Sequence, residues 1–172
     1  MSELLEFDVH GIAAGGDGVG RSDGLVVFAP RTVPGDHVRA RVERGKRFAR
    51  ATHVQVVRPS PERVTPRCPH FVQDACGGCQ LQQMSEAGQR DAKAGIIRDA
   101  FQRIAKREIR PPEIRHAGSP WRYRAKLTLA LRRNDGEWIA GLHRFDAPGD
   151  VFRDADPAPP PLPKPRRRVP PT

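Results

Sequence analysis

Three cysteines, all that the chain contains, fall within the twelve residues from Cys68 to Cys79. Cys76-Gly77-Gly78-Cys79 is a Cys-x-x-Cys pair, a spacing that brings two sulfurs within reach of one metal centre. Gly77-Gly78 lets the backbone fold back between them without a Cβ in the way. Cys68, eight positions before Cys76, is placed to close on the same centre. An odd number of thiols grouped this tightly points to metal ligation rather than disulfides in a reducing compartment. Zinc is one candidate, because His70 would complete a Cys-x-His-x5-Cys-x-x-Cys set. A four-thiolate iron–sulfur centre would be one ligand short. His70 also has a plainer account, an exposed histidine on a basic surface, since it lies only two residues from Cys68.

Charge is the second chemistry on offer. Among 172 residues, 30 Lys and Arg face 20 Asp and Glu, a net charge of +10 that points first to a polyanionic partner such as nucleic acid. The alternative is a solvated basic surface in an Arg-rich composition. The densest patch is Arg39, Arg41, Arg44, Lys46, Arg47 and Arg50, with Phe48 inside it. Phe48 would stack on a base while the cations meet phosphates, or else belong to the core of the next strand. A second basic run, Arg122, Arg124 and Lys126, is the other place where RNA contacts would fall.

The elements that must carry these groups are mostly strands. Leu5, Phe7 and Val9 alternate with polar neighbours, and strands are expected at 25–29, 38–43 and 51–57. Ser22-Asp23-Gly24 and Pro34-Gly35-Asp36 read as hairpin-type turns. Short strands spaced in this way suggest a small closed or nearly closed β-barrel over residues 1–58. The Gly16-x-Gly18-x-Gly20 run resembles a phosphate-binding loop only superficially, because Arg21-Ser22-Asp23-Gly24 after it is a turn and not a helix start. A glycine-kinked hairpin fits better. Residues 59–84 read as a proline-punctuated linker and the cysteine segment, and residues 85–110 as an amphipathic helix with Ile96, Ile97, Ala100, Phe101 and Ile104 on one face. From 111 to 153 the period returns to two: Tyr123, Ala125, Leu127, Leu129 and Leu131 predict a long strand, Asn134-Asp135-Gly136 a hairpin, and Trp138 to Arg144 its return. Such a hairpin is marginal alone and should belong to a larger sheet. Residues 154–172, with proline at eight of the last sixteen positions, cannot bury a core and should be disordered: a basic docking tail, or the product of a frameshift near Arg153. No apolar run reaches the roughly eighteen residues of a membrane span, and there is no signal-peptide core, so a cytoplasmic, monomeric chain without membrane contact is expected.

Phe7-Asp8-Val9-His10-Gly11, Gly18-Val19-Gly20-Arg21 and Val33-Pro34-Gly35-Asp36 together resemble a TRAM domain, a small RNA-binding barrel of the OB type. Cys68 through Cys76-Gly77-Gly78-Cys79-Gln80-Leu81-Gln82 resembles the iron–sulfur segment of bacterial RNA uracil-5-methyltransferases. Trp121-Arg122-Tyr123-Arg124-Ala125-Lys126 and Gly141-Leu142-His143-Arg144 are similar to motifs of their central β-domain. The resemblance runs from about residue 4 to residue 153, and its most specific piece is the string from Cys76 to Gln82. It implies a mainly β chain: a five-stranded TRAM barrel, a Cys-rich loop, one helix and the start of the central domain. It further implies binding of rRNA or tRNA, a [4Fe–4S] cluster with Cys68, Cys76 and Cys79 as three of its ligands, and methyl transfer from S-adenosylmethionine to uracil C5. The methyl donor and the catalytic cysteine belong to a further domain in that family. No cysteine follows Cys79 here, and seven residues separate Cys68 from Cys76, more than the family's usual spacing. The implied reading is an N-terminal portion, truncated or frameshifted, that binds RNA and is not catalytic alone. A stand-alone RNA-binding module with structural zinc is the alternative.

Overall fold

The computed structural model describes residues 2–115, 118–134 and 136–153; the proline-rich tail lies outside them. Strand β1 (Ser2–Ile12) is long enough to serve two neighbours. Its first part pairs with β4 (His37–Arg44) and its last part with β2 (Gly18–Ser22), with an irregularity between Val9 and Gly11 where it bends from one to the other. β2 turns through Asp23 and Gly24, both at positive φ, into β3 (Leu25–Ala29), the two-residue hairpin geometry that Asp-Gly favours. β3 then runs parallel to β5 (Ala49–Arg58), which pairs antiparallel with β4, closing a five-stranded barrel in the order β1-β2-β3-β5-β4.

The expected barrel is therefore present, and its alternation is what fills it. Phe7, Val9, Val27, Val38, Ala40, Val42, Ala49 and Ala51 point inward and are buried, while Arg39 and Arg41 between them point out. Of the glycine run, Gly18 and Gly20 lie in strand β2 and Gly16 in the turn before it. At Gly20 a Cβ would sit 2.3 Å from the Phe7 ring, so the glycine is there to admit that ring, and a hairpin rather than a helix follows the run. Pro34-Gly35-Asp36 forms a turn, but not a hairpin, because β3 and β4 are not neighbours in the barrel.

Asp36 gives that turn its purpose. Its carboxylate is fully buried and accepts from the Val33 N–H (2.7 Å), the Ser60 N–H (2.8 Å), and Arg63 Nε (3.1 Å) and Nη2 (2.5 Å). A turn residue of the barrel thus anchors the proline-punctuated stretch that follows β5. Beyond it, a second small core forms from Ile12, Val33 and Met84, with Leu81, Ala92 and Ile96 against it.

A short helix, α1 (His70–Gln73), precedes the cysteine pair, and α2 (Glu86–Ile104) follows it. Ser85 caps α2 by accepting from the Gly88 N–H at 3.0 Å. The expected apolar face is only half used. Ile96 packs on the second core, but Ile97, Phe101 and Ile104 are exposed, the last at 84%. The small cluster is too short to reach past the helix midpoint.

The long strand expected over 121–131 does not form. Strand β6 begins only at Ala130 and ends at Asn134; β7 (Glu137–His143) returns, and β8 (Val151–Arg153) adds a third strand in the order β6-β7-β8. Tyr123, Leu127 and Leu129 are exposed. Alternation creates a strand only where a partner supplies hydrogen bonds, and residues 121–129 have none alongside. Gly136, at φ +88°, carries the turn from β6 to β7; Asp135 lies outside the described residues.

Two measurements check these packing arguments. Asp36→Ala leaves two buried N–H groups without their acceptor and Arg63 with only the Arg31 carbonyl, and should cost about 3–5 kcal/mol in urea unfolding, the usual penalty for halving a buried pair. His37 lies 2.9 Å from Asp8 and 3.3 Å from Glu6, and hydrogen bonds to Asp8 and then Glu6 raise its pKa above the ordinary histidine value. The stabilisation this brings is complete below the ordinary histidine range and is lost as pH rises through the raised folded value. An NMR titration should show His37 titrating high, and Asp8→Asn should bring it back down.

Candidate cysteine loop and nucleic-acid surface

The cysteine loop is fixed to its neighbours at the backbone. The Gly77 N–H donates to the His143 carbonyl (2.8 Å), the Phe145 N–H donates to the Ala75 carbonyl (2.8 Å), and Cys76 bridges Arg144. A Cβ on Gly77 would meet the His143 oxygen at 2.9 Å, so this glycine is required by close approach to the end of β7. Ala75 takes the left-handed conformation instead, at φ +51°.

Arg31, just past β3 and itself at φ +57°, holds the loop from the barrel side. Its guanidinium lies between the rings of Phe71 (3.9 Å) and Phe145 (3.7 Å) and donates to the carbonyls of Phe71 and Cys76, the latter at 2.8 Å. Burial pulls its pKa down, while Cys76, Asp146 and Cys79 push back. Spacing alone does not mark Arg31, whose partners lie 40 and 45 residues away.

The three thiols differ in their surroundings. Cys76 is buried, Cys68 half-buried and Cys79 exposed. Burial raises the Cys76 pKa; the Gly78 N–H, 3.4 Å from its sulfur, works against that, and Cys79 and Cys68 nearby add to the rise. The backbone N–H of Cys68 donates to Gln82 Oε1 at 3.2 Å. His70 Nδ1 meets Asp74 at 2.6 Å and its ring stacks on Phe152. Among the described residues no three His, Cys, Asp or Glu side chains are gathered closely enough to hold a metal ion as they stand. Three thiols are also one fewer than a [4Fe–4S] cluster ordinarily takes. The thiols share a neighbourhood without forming a closed coordination shell.

The basic residues divide between two places. Arg39 and Arg41 stand on the outer face of β4, Lys46 and Arg47 in the exposed turn after it, and Arg50 on β5. Arg39 is held by Glu6 and Arg44 by Glu3, at 2.5 and 2.9 Å. Phe48 lies outside the barrel core, edge-on to Phe28 at 5.4 Å and under Arg50 at 5.9 Å. Arg122, Arg124 and Lys126 occupy the irregular, exposed segment before β6. Arg124 covers the Tyr123 ring there, and Arg67 covers Trp121.

Between the barrel wall and the cysteine loop lies an open cleft of about 930 Å³, with Phe28, Arg50 and His53 on one side and Cys79, His143 and Phe145 on the other. His53, which the sequence pattern does not single out, sits at a β-bulge: β4 passes from Arg39 to Arg41 while β5 passes from Gln55 to Thr52.

Thiol chemistry tests this arrangement. With iodoacetamide near neutral pH, Cys79 should alkylate first and Cys76 last, and Arg31→Ala should bring the Cys76 rate up toward that of Cys79 as the loop loosens. Peptide mass spectrometry over a time course reads both, and a Cys76 that reacts as fast as Cys79 in the parent chain would refute the burial argument.

No protein-family model matches the chain. An uncharacterised RNA methyltransferase of Thermosynechococcus vestitus is 39% identical over 142 residues, covering 81% of this chain and 31% of its own length. The 23S rRNA (uracil(1939)-C(5))-methyltransferase RlmD of a Shewanella strain is 40% identical over 144 residues, covering 83% and 32%. The chain thus spans about a third of the length of the curated relatives it matches. Among solved structures, the Pyrococcus abyssi tRNA (uracil-54, C5)-methyltransferase aligns at 31% identity over 60% of this chain and 22% of that one, with a TM-score of 0.37. The matches to the curated RNA methyltransferases, together with the closed five-stranded barrel, make the chain an N-terminal, RlmD/RNA-uracil-methyltransferase-like fragment with a TRAM-like barrel.

Proposed function

We propose that this segment binds rRNA or tRNA for a methyltransferase that modifies uracil C5 with S-adenosylmethionine, and that it does not catalyse methyl transfer by itself. The observation that carries the reading is the similarity to RlmD together with the outward basic surface of the barrel at Arg41, Lys46, Arg47 and Arg50. Uracil C5 methylation of the proposed kind needs a free cysteine thiolate beside the methyl donor. The three thiols here lie in one loop whose middle member is buried, which suits them to ligation. We assign Cys68, Cys76 and Cys79, the three cysteines of the sequence, as three thiolates of an iron–sulfur centre. When bound, such a centre would tie the loop together.

Affinity for short single-stranded RNA should fall steeply with salt. Replacing Arg41, Lys46, Arg47 and Arg50 together by Ala should weaken it and flatten the log–log salt slope by about 0.7 for each phosphate no longer neutralised. An unchanged slope would move the RNA site to Arg122, Arg124 and Lys126. For the centre, anaerobic reconstitution with iron and sulfide should give brown protein with broad visible absorption. Colourless protein holding one zinc per chain would replace the cluster with the zinc reading.

A further inference from the structure

The cleft beside the cysteine loop has features that packing does not account for. Its lining cations Arg31, Arg50 and Arg144 are matched in number by Asp17, Glu43 and Asp146, so it carries no strong field for a phosphate. Arg31 is held between two rings, and Arg144 is locked on Asp146 in a two-pronged pair at 3.0 and 2.8 Å. What remains is aromatic and amphipathic: Phe28 and the imidazole of His53 on the wall, and Phe48 outside it, edge-on to Phe28.

His53 occupies this wall at a backbone cost. It is a non-glycine residue at φ +49°, in the β5 bulge, and its side chain is exposed. Glycine would take that conformation freely, whereas non-glycine residues take it uncommonly, histidine less rarely than most. A bulge that turns an exposed ring onto the edge of a cleft points to use of the ring. Between the lining residues Glu43 and Arg50 the chain carries Lys46 and Arg47, in the turn that leads to Phe48, and they enter no ion pair among the described residues.

From this we infer that the cleft receives an unstacked base of single-stranded RNA, stacked against Phe28 and His53 with the edge-on ring of Phe48 beside it, while the adjoining phosphates lie on Lys46, Arg47 and Arg50. The inference rests on the RNA-binding reading above and adds to it a place and a strand state. A neutral, aromatic-walled pocket with a basic rim is the arrangement that takes in a base while keeping its backbone outside. About 930 Å³ is ample for one base with its sugar.

The test uses the full chain with a short single-stranded RNA of mixed sequence carrying 4-thiouridine. Near-ultraviolet crosslinking followed by peptide mapping should place adducts on the segments holding Phe28 and Phe48 to His53. His53→Gly removes the ring and relieves the backbone, so it should keep the parent circular dichroism spectrum and melting temperature while binding about five- to tenfold more weakly, the lower range for loss of a stacking side chain. Phe28→Leu should weaken binding by a similar factor. The same sequence as a duplex should give no adducts in the cleft and be indifferent to His53→Gly, and uridine monophosphate should not compete at comparable concentration. If both cleft variants bind like the parent while the fourfold Arg/Lys variant loses affinity, the cleft inference falls and the RNA-binding reading stands. If the parent binds no single-stranded RNA at all, both fall. Equal affinity for the duplex, or for the free nucleotide, overturns the inferred strand state.

Discussion

Arg31 sits where three parts of the chain meet. It leaves β3 in a left-handed conformation, enters the space between Phe71 and Phe145, and directs its donors to the carbonyls of Phe71 and Cys76. One ring comes from the short helix before the cysteine pair, the other from the segment after β7. A planar cation can stack on two aromatic faces and still donate in its plane, which neither a lysine nor an apolar side chain could do. The barrel, the cysteine loop and the segment after β7 therefore share one guanidinium, in addition to their backbone links.

The small sheet depends on that junction. Three strands with Leu131 and Trp138 exposed bury little apolar surface of their own and stand near the lower limit of independent stability. What steadies them is the cysteine loop, which meets the end of β7 through Gly77 and His143, through Ala75 and Phe145, and through the Cys76–Arg144 bridge. The loop thus acts as structural support as well as a source of thiols. Its middle cysteine is the one committed to support, which is why Cys76 is buried while Cys79 remains open to the cleft.

The barrel was legible from the sequence because its information is local. Alternation at Leu5, Phe7 and Val9, a two-residue Asp23-Gly24 turn and a run of small residues on β2 each specify their own neighbourhood, and their sum closes in one way. The same local reading failed at 121–129, where alternation is just as clean but no partner strand lies alongside. It also failed on the C-terminal half of α2, whose apolar stripe outruns the small core it faces. Of the candidate site, the cysteines and the arginines were visible as residue types. Arg31, Asp36 and His53 were not, because their roles arise from contacts across 40 or so residues, from burial, and from a bulge that no composition marks.

The basic surface shows how far a count of charges differs from a usable patch. Six cations crowd positions 39 to 50, yet β4 lies against β1, whose Glu3 and Glu6 hold Arg44 and Arg39. Exposed pairs of this kind contribute little to stability, but they weaken the local field, and a phosphate must displace the carboxylate to use the arginine. Asp17 restrains Arg50 more loosely, at 3.5 Å. Arg41, Lys46 and Arg47 have no such partner among the described residues. Two of these three lie in the turn that presents Phe48, so the attractive part of the surface is shorter than the sequence suggests and lies where an aromatic ring is exposed. Cations that hold a backbone beside a ring that holds a base favour an unpaired strand over a duplex, whose bases are already stacked on one another.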